Sequence, residues 1–163
     1  DQAIFRGKIA CKDIRVQFVE KFFGNSRFDI GTIDLIKPEW KNDKISIYDH
    51  LKYKYVMALE GNDVASNLKW IMSSNSIAVM PKPYYETWFM EGTLKPDYHY
   101  IEVKPDFSDL EEKMDYYTAH PDEAQAIINH AHEYVEQFKD KQREDIISLM
   151  VLDKYFSLLK SKD

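Results

Sequence analysis

Short apolar runs alternate with helix-patterned stretches along the chain as far as Val103, and this alternation narrows the open folds more than any other feature. The runs Ala3 to Phe5, Phe28 to Ile33, Tyr55 to Leu59, Ser76 to Met80 and Tyr98 to Val103 are brief and mostly rich in β-branched or aromatic residues, as strands are. Between them lie helix candidates at about Lys12 to Phe23, Ala65 to Ser74 and Tyr84 to Met90. Strands separated by helices need crossover connections, and crossovers produce a parallel sheet covered by helices on both faces. The expected fold class is therefore α/β, with a Rossmann-like parallel sheet.

Beyond Pro105 the pattern becomes helical only. Ser108-Asp109-Leu110-Glu111 reads as a capping box opening a helix that carries Leu110, Met114 and Tyr117 on one face. Pro121 begins a second helix, with Ala124, Ile127, Ile128, Ala131, Tyr134, Val135 and Phe138 at helical spacing. A last one runs from about Arg143 to Leu159. These stripes read as packing faces, against the sheet or a neighbouring domain. At 163 residues, with no repeat and no Pro/Gly-rich linker, the chain reads as one domain over 1–163, of which about 106–163 is a helical C-terminal part.

Composition excludes several functions. Apolar residues at 44% and charged residues at 31% describe a globular chain rather than a disordered one, and a net charge of −6 argues against wrapping nucleic acid. A local basic pocket for a diphosphate remains compatible with that charge. Cys11 is the only cysteine, reads as a small buried hydrophobe, and fits a reducing cytosol. No apolar run approaches a membrane span and no signal-peptide pattern is present. The chain opens at Asp1 without an initiator Met, the expectation for a fragment.

In open parallel sheets ligands bind where strand carboxyl ends lead into helices. Two such loops stand out. After the first strand, Arg6-Gly7 places a guanidinium beside a flexible backbone, where it can grip paired phosphates; a surface ion pair is the plainer reading. After the third strand comes Glu60-Gly61-Asn62-Asp63-Val64-Ala65-Ser66-Asn67-Leu68-Lys69. Gly61 permits a tight turn, while Ala65 and Ser66 allow a ligand near the backbone of a helix N-terminus. Asp63 there repels phosphate; it is either an N-cap or a partner of sugar or ribose hydroxyls. The loop fits neither GxGxxG nor a P-loop. His130 and His132 face different ways on a helix, so no metal site is expected, and Cys11 has no base partner for nucleophilic catalysis.

Several stretches taken in order resemble glycosyltransferase family 90, the lipopolysaccharide-core and capsule-associated group that includes the eukaryotic protein O-glucosyltransferases. They are Lys52-Tyr53-Lys54-Tyr55 through Glu60-Gly61-Asn62, Asn67-Leu68-Lys69-Trp70, Ser73-Ser74-Asn75-Ser76, Tyr84-Tyr85-Glu86-Thr87-Trp88-Phe89, Leu94-Lys95-Pro96, His99-Tyr100-Ile101-Glu102-Val103-Lys104 and Ser108 to Lys113. The resemblance runs from Phe5 nearly to the end and is nearest to the bacterial branch. It implies the C-terminal, donor-binding half of a GT-B enzyme that uses a nucleotide sugar, UDP-glucose or UDP-galactose, with inversion and no cofactor or obligatory metal. The implied acceptor is lipopolysaccharide core or a related glycan, bound by an N-terminal half that also supplies the catalytic base. By the same resemblance Arg6 and Gly7 hold the donor diphosphate, Tyr48-Asp49-His50 approaches the base, and the residues Gly61, Asn62, Asp63, Val64, Ala65, Ser66, Asn67 and Lys69 form the second donor loop. Asn67 departs from the eukaryotic members, which place an Arg there, so Lys69 or Arg6 is left to carry more of the charge. The implied location is cytoplasmic, with the full enzyme at the inner face of the bacterial inner membrane. The contrasting expectations are a non-catalytic nucleotide- or sugar-binding module and a flavodoxin- or receiver-like domain.

Overall fold

The computed structural model describes residues 1–10, 13–34 and 36–160; Cys11 and Lys12 lie outside the described residues. Among those described, five strands form one parallel sheet: β1 (Ala3–Gly7), β2 (Phe28–Thr32), β3 (Tyr55–Met57), β4 (Ile77–Met80) and β5 (Ile101–Glu102), in the order β2-β1-β3-β4-β5. Ala3 pairs with both Phe28 and Tyr55, so β1 sits between its two neighbours in a register that brings their carboxyl ends to one edge.

Alternation of side chains along each strand sorts the apolar residues into two cores. Ala3, Phe5, Tyr55, Met57, Ile77, Val79 and Ile101 face one side, covered by Phe18 and Val19 of α1 (Asp13–Phe22) and by Leu110 and Met114 of α4 (Leu110–Ala119). Ile4, Val56, Ala78 and Met80 face the other, against Leu68, Ile71 and Met72 of α3 (Leu68–Met72). The long α5 (Pro121–Glu136) serves both, placing Ile127 and Ile128 in the first core and Ala131 and Val135 in the second. Tyr55 is fully buried, and its hydroxyl reaches Met114 O (3.1 Å) and Thr118 Oγ1 (3.0 Å), so the polar end costs no orphaned group. This is the expected Rossmann-like α/β layout ending in helices.

Three local expectations are corrected. Tyr84 to Met90 is not a helix; it holds one turn, closed by Met90 N–H donating to Thr87 O (2.9 Å), and a 3-10 turn follows at Glu91–Thr93. The segment's earlier donors are claimed from elsewhere: Tyr84 N–H and Tyr85 N–H both donate to Glu60 Oε1 (3.1 Å each), and Thr87 N–H to Glu91 Oε2 (2.7 Å). The capping box does not form either. Asp109 holds the N-cap position without a side-chain cap, because its carboxylate accepts from Lys104 N–H (2.9 Å), while Ser108 N–H donates to Asp106 (3.0 Å). The third helix is only five residues, ended where Ser73 and Ser74 hydroxyls donate to the carbonyls of Lys69 and Ile71 (2.7 Å each). A short α2 (Ile47–His50), capped by Ser46 Oγ accepting from Asp49 N–H, is additional to the expectation.

The last helix, α6 (Lys141–Lys160), contributes to neither core and borders a cavity with Trp88, Met90 and Phe138 through Ile147, Val151 and Leu152. Ile146, Ile147, Leu149, Met150, Val151, Leu152, Tyr155, Phe156, Leu158 and Leu159 are all exposed along it. No helix among the described residues is long and apolar enough to cross a membrane.

Gly31 of β2 is the most closely packed of the glycines. A Cβ there would lie 2.3 Å from Asn42 Cβ and 3.1 Å from Arg6 Cζ. Gly31→Ala is expected to destabilise the fold by about 1–3 kcal/mol through overpacking, read as a lower urea midpoint with unchanged slope.

Candidate functional site

The carboxyl ends of β1 and β3 open into a cleft of about 270 Å³ between the loop after each strand, α2 and the start of α3. Its lining combines the polar side chains of Arg6, Arg15, Asn67 and Ser66 with Ile47, His50 and Trp70. No Asp or Glu is among its lining residues. A larger cavity of about 570 Å³ beyond β5 is lined by Asp97, Asp109, Glu112 and Glu123 against Lys104 and Lys113, a surplus of negative charge unsuited to an anion.

Two guanidinium groups set the cleft's electrostatics, and they are held differently. Arg6 lies across Gly31, with its side chain only 7% exposed, and is paired with the Asp29 carboxylate. It also donates to Phe5 O (3.1 Å) and Asp29 O (3.0 Å), which leaves its buried Nε without a partner. Burial acts to raise the Asp29 pKa, but hydrogen bonds from the Tyr53 hydroxyl and from Arg6 outweigh it and hold the carboxyl below its usual range. Arg15, from the first turns of α1, reaches back to the sheet and spends its donors on neutral carbonyls. Nη2 donates to Leu59 O (2.7 Å), Nε to Leu59 O (3.1 Å) and Glu60 O (2.9 Å), and Nη1 to Lys8 O (2.9 Å). Burial lowers its pKa and Asp34 opposes that at longer range; among the described residues no carboxylate forms an ion pair with it. Its charge is therefore the less compensated of the two.

The loops that bear these groups are tied down. Asp34 Oδ2 accepts from Ile9 N–H (2.9 Å) and Ala10 N–H (2.7 Å), shaping the turn after β1. Gly61 N–H donates to Asp63 O (3.0 Å), and a Cβ on Gly61 would stand 2.9 Å from Arg15 Nη2, so the missing side chain is what admits the guanidinium.

The expected site residues are only partly brought together. Arg6, Gly7, Ser66 and Asn67 line the cleft, and Gly61 packs against Arg15 at its rim. Asp63 is not an N-cap: its carboxylate accepts from the adjacent Val64 N–H (2.8 Å), while Ala65 is buried. Asn62 belongs to the same tight turn. Asn67 takes the N-cap position of α3 and uses its amide to donate to Met57 O (3.0 Å). A five-residue helix has too little dipole to act as the anion site the loop suggested. Tyr48 is 77% exposed and does not line the cleft, whereas its neighbours Ile47 and His50 do. His50 Nδ1 contacts Ser46 O (2.8 Å) and its ring meets Trp70 edge-on at 5.5 Å. Of the two expected metal-poor histidines, His132 contacts Ser74 O (2.8 Å) and His130 stacks on Tyr98.

A profile described as Glycosyl transferase family 90 matches residues 1–163. The chain belongs to glycosyltransferase family 90. It is similar to an O-glucosyltransferase LpsA of Dichelobacter nodosus, 43% identical over 162 residues that cover 98% of this chain and 50% of that protein. It is also similar to protein O-glucosyltransferase 3 of Homo sapiens, 27% identical over 99% of this chain and 33% of that protein, and to protein O-glucosyltransferase 2 of Danio rerio, 34% identical over 51% of this chain and 16% of that protein. This family 90 chain thus spans half the length of the first relative and a third of the second.

Arg15 is the family 90 cleft residue that sequence reasoning missed. Its signal was available as the lone guanidinium early in a helix otherwise patterned by Ile14, Val16, Phe18 and Val19, on the end nearest Arg6. Lys69 was expected at the cleft and is directed away from it. It pairs with Glu91 (2.6 Å), which is 1% exposed and also accepts from Thr87 Oγ1 (2.9 Å). Burial raises the Glu91 pKa, but the hydrogen bonds from Lys69 and Thr87 win and the net direction is downward.

A carboxyl depressed in the fold adds stability that is present above its unfolded pKa, about 4.3 for Glu, and is lost as pH falls through the lower folded value. Glu91→Gln is therefore expected to cost about 1–3 kcal/mol at pH 7. The difference between its stability curve and that of the unsubstituted chain should begin to narrow only as pH falls below about 4.3 and on through the depressed folded value; a gap that does not narrow at all between pH 5 and pH 2 would show that the carboxylate charge is not the source.

Proposed function

We propose that this chain is the donor-binding half of a GT-B glycosyltransferase, taking a nucleotide sugar such as UDP-glucose or UDP-galactose and delivering the hexose, with inversion, to lipopolysaccharide core or a related glycan. The observation that carries the reading is the cleft at the ends of β1 and β3, lined by two guanidinium groups and no carboxylate. Family membership and the O-glucosyltransferase names of the relatives agree with it.

The chemistry follows from where charge develops. An acceptor hydroxyl, losing its proton to a carboxylate base, forms a new bond to the anomeric carbon while the bond to the diphosphate oxygen breaks. Negative charge accumulates on the leaving nucleoside diphosphate, and Arg15 and Arg6 are placed to stabilise it as fixed cations, with no obligatory metal. Arg15 is the principal partner, because carbonyls hold it in place without neutralising it; Arg6, shared with Asp29, is the secondary one. Asn67, where eukaryotic relatives carry Arg, contributes an amide at most, and Arg15 supplies the charge that Lys69 does not. The planar base suits the ring pair of His50 and Trp70 and the neighbouring Ile47 in the lining.

No residue of this chain is assigned as catalytic base. We place that base, and the acceptor site, in a second half corresponding to the portion of the relatives this chain does not span, so the chain alone is an incomplete catalytic unit. The exposed apolar residues of α6 support this reading, since a large exposed apolar surface normally marks an interaction site. We place the full enzyme at the cytoplasmic face of the membrane, where its lipid-linked acceptor would be met.

Calorimetry with UDP tests the donor site. Arg15→Ala is expected to weaken UDP binding about 10- to 100-fold, as loss of charge-assisted hydrogen bonds does, and Arg6→Ala by less. Gly61→Ala should keep the fold, because only the tip of Arg15 must move, yet weaken UDP binding like a partial Arg15 deletion. UDP affinity indifferent to Arg15 and Arg6 would refute the assignment. The α6 surface makes a separate prediction: sedimentation at micromolar concentration should show self-association of this chain, relieved in an Ile147→Glu, Leu152→Glu variant.

A further inference from the structure

The loop between β4 and the 3-10 turn at Glu91–Thr93 combines an anchored backbone with outward aromatic rings. Tyr84 is 85% exposed and Tyr85 39%, their rings at right angles with centroids 5.1 Å apart. Exposed tyrosines usually ride on mobile backbone, but here the backbone is fixed from three sides. Glu60 Oε1 accepts from both tyrosine N–H groups, buried Glu91 accepts from Thr87 N–H, and the Tyr134 hydroxyl donates to Phe89 O (2.6 Å) and Met90 O (2.9 Å). None of these anchors needs the Tyr84 ring. A rigid loop that presents aromatic rings to solvent has already lost the entropy that binding would otherwise remove.

The anchoring of the rings bears on what they bind. Glu60 is shared: its side chain holds Tyr84 and Tyr85, while its carbonyl accepts from Arg15 Nε (2.9 Å) at the cleft. The tyrosine backbone is therefore linked through Glu60 alone to Arg15, a lining residue of the cleft. A carboxylate at this junction disfavours phosphate and suits hydroxyl donors. An uncharged polyhydroxylated ring has the matching chemistry. One face of a pyranose is a patch of C–H groups that stacks on the electron-rich face of an aromatic ring, and a second, perpendicular tyrosine offers an edge and a hydroxyl to the same sugar.

We propose that Tyr84 and Tyr85, fixed by the Glu60 carboxylate, form a hexose-binding subsite tied through that residue to the cleft, an inference that rests on the donor-site reading for its place in the reaction. The sugar is either the hexose of the donor or a unit of the acceptor glycan that extends from its main site in the second half onto this surface, and the two sources separate by experiment. The test is an NMR titration of the 163-residue chain and of a Tyr84→Ala, Tyr85→Ala variant with UDP, UDP-glucose and maltotriose. Both side chains lie at the surface, and their backbone hydrogen bonds survive truncation, so the variant should fold. It is expected to bind UDP as the unsubstituted chain does and to lose about tenfold in affinity for a glucose-bearing probe. Loss on UDP-glucose marks the donor hexose, and loss on maltotriose alone marks an acceptor sugar; a Tyr84→Phe, Tyr85→Phe variant should keep most of either. Unchanged affinity for both sugar-bearing probes, their failure to bind the unsubstituted chain, or an equal loss on UDP would overturn the subsite. Failure of UDP to bind the unsubstituted chain would instead overturn the donor-site reading, leaving maltotriose to decide the subsite.

Discussion

β1 lies between β2 and β3 and pairs with both in parallel, from Ala3 onward, so that the loops after β1 and β3 emerge side by side at one edge of the sheet. Everything in the candidate site follows from that pairing. Had β3 run antiparallel to β1, Lys8, Leu59 and Glu60 could not present their carbonyls to one guanidinium. As built, Arg15 ties the two loops together, and Gly61 leaves the space it occupies. The group that stabilises the edge is also the one that charges it.

The second organising constraint is the use of carboxylates to hold irregular backbone. Glu60, Glu91, Asp34 and Asp109 each accept from main-chain N–H groups of loops that have no ladder of their own. Backbone donors removed from water need partners, and an ionised carboxylate is a strong one. In this way a chain of net negative charge keeps its acidic groups busy inside the loop layer and leaves the cleft lining free of them.

That same device explains what could and could not be read from the sequence. The strands were legible because short apolar runs such as Ile77–Met80 have few other fates, and α5 because its stripe from Ala124 to Val135 repeats at helical spacing. Arg6, Gly7, Ser66 and Asn67 were found as cleft residues from their place after strands. Tyr84 to Met90 misled because it lies between two strands, where a crossover helix is expected, while the acceptors that hold it irregular, Glu60 above all, are distant in sequence. Lys69 misled for a related reason: its partner Glu91 is 22 residues away, and nothing local announces that the pair is buried. Arg15 was hidden by helical register, since only the fold shows which end of α1 points at Leu59.

The exposed apolar residues of α6 bear on the life of the chain in a cell. Surfaces of this kind are what holdase chaperones and quality-control proteases select, and a protein's abundance is set partly by how long such a surface stays uncovered. An uncovered α6 would be such a target and a covered one would not, so the persistence of this chain would depend on what packs against the helix as well as on the stability of its own sheet.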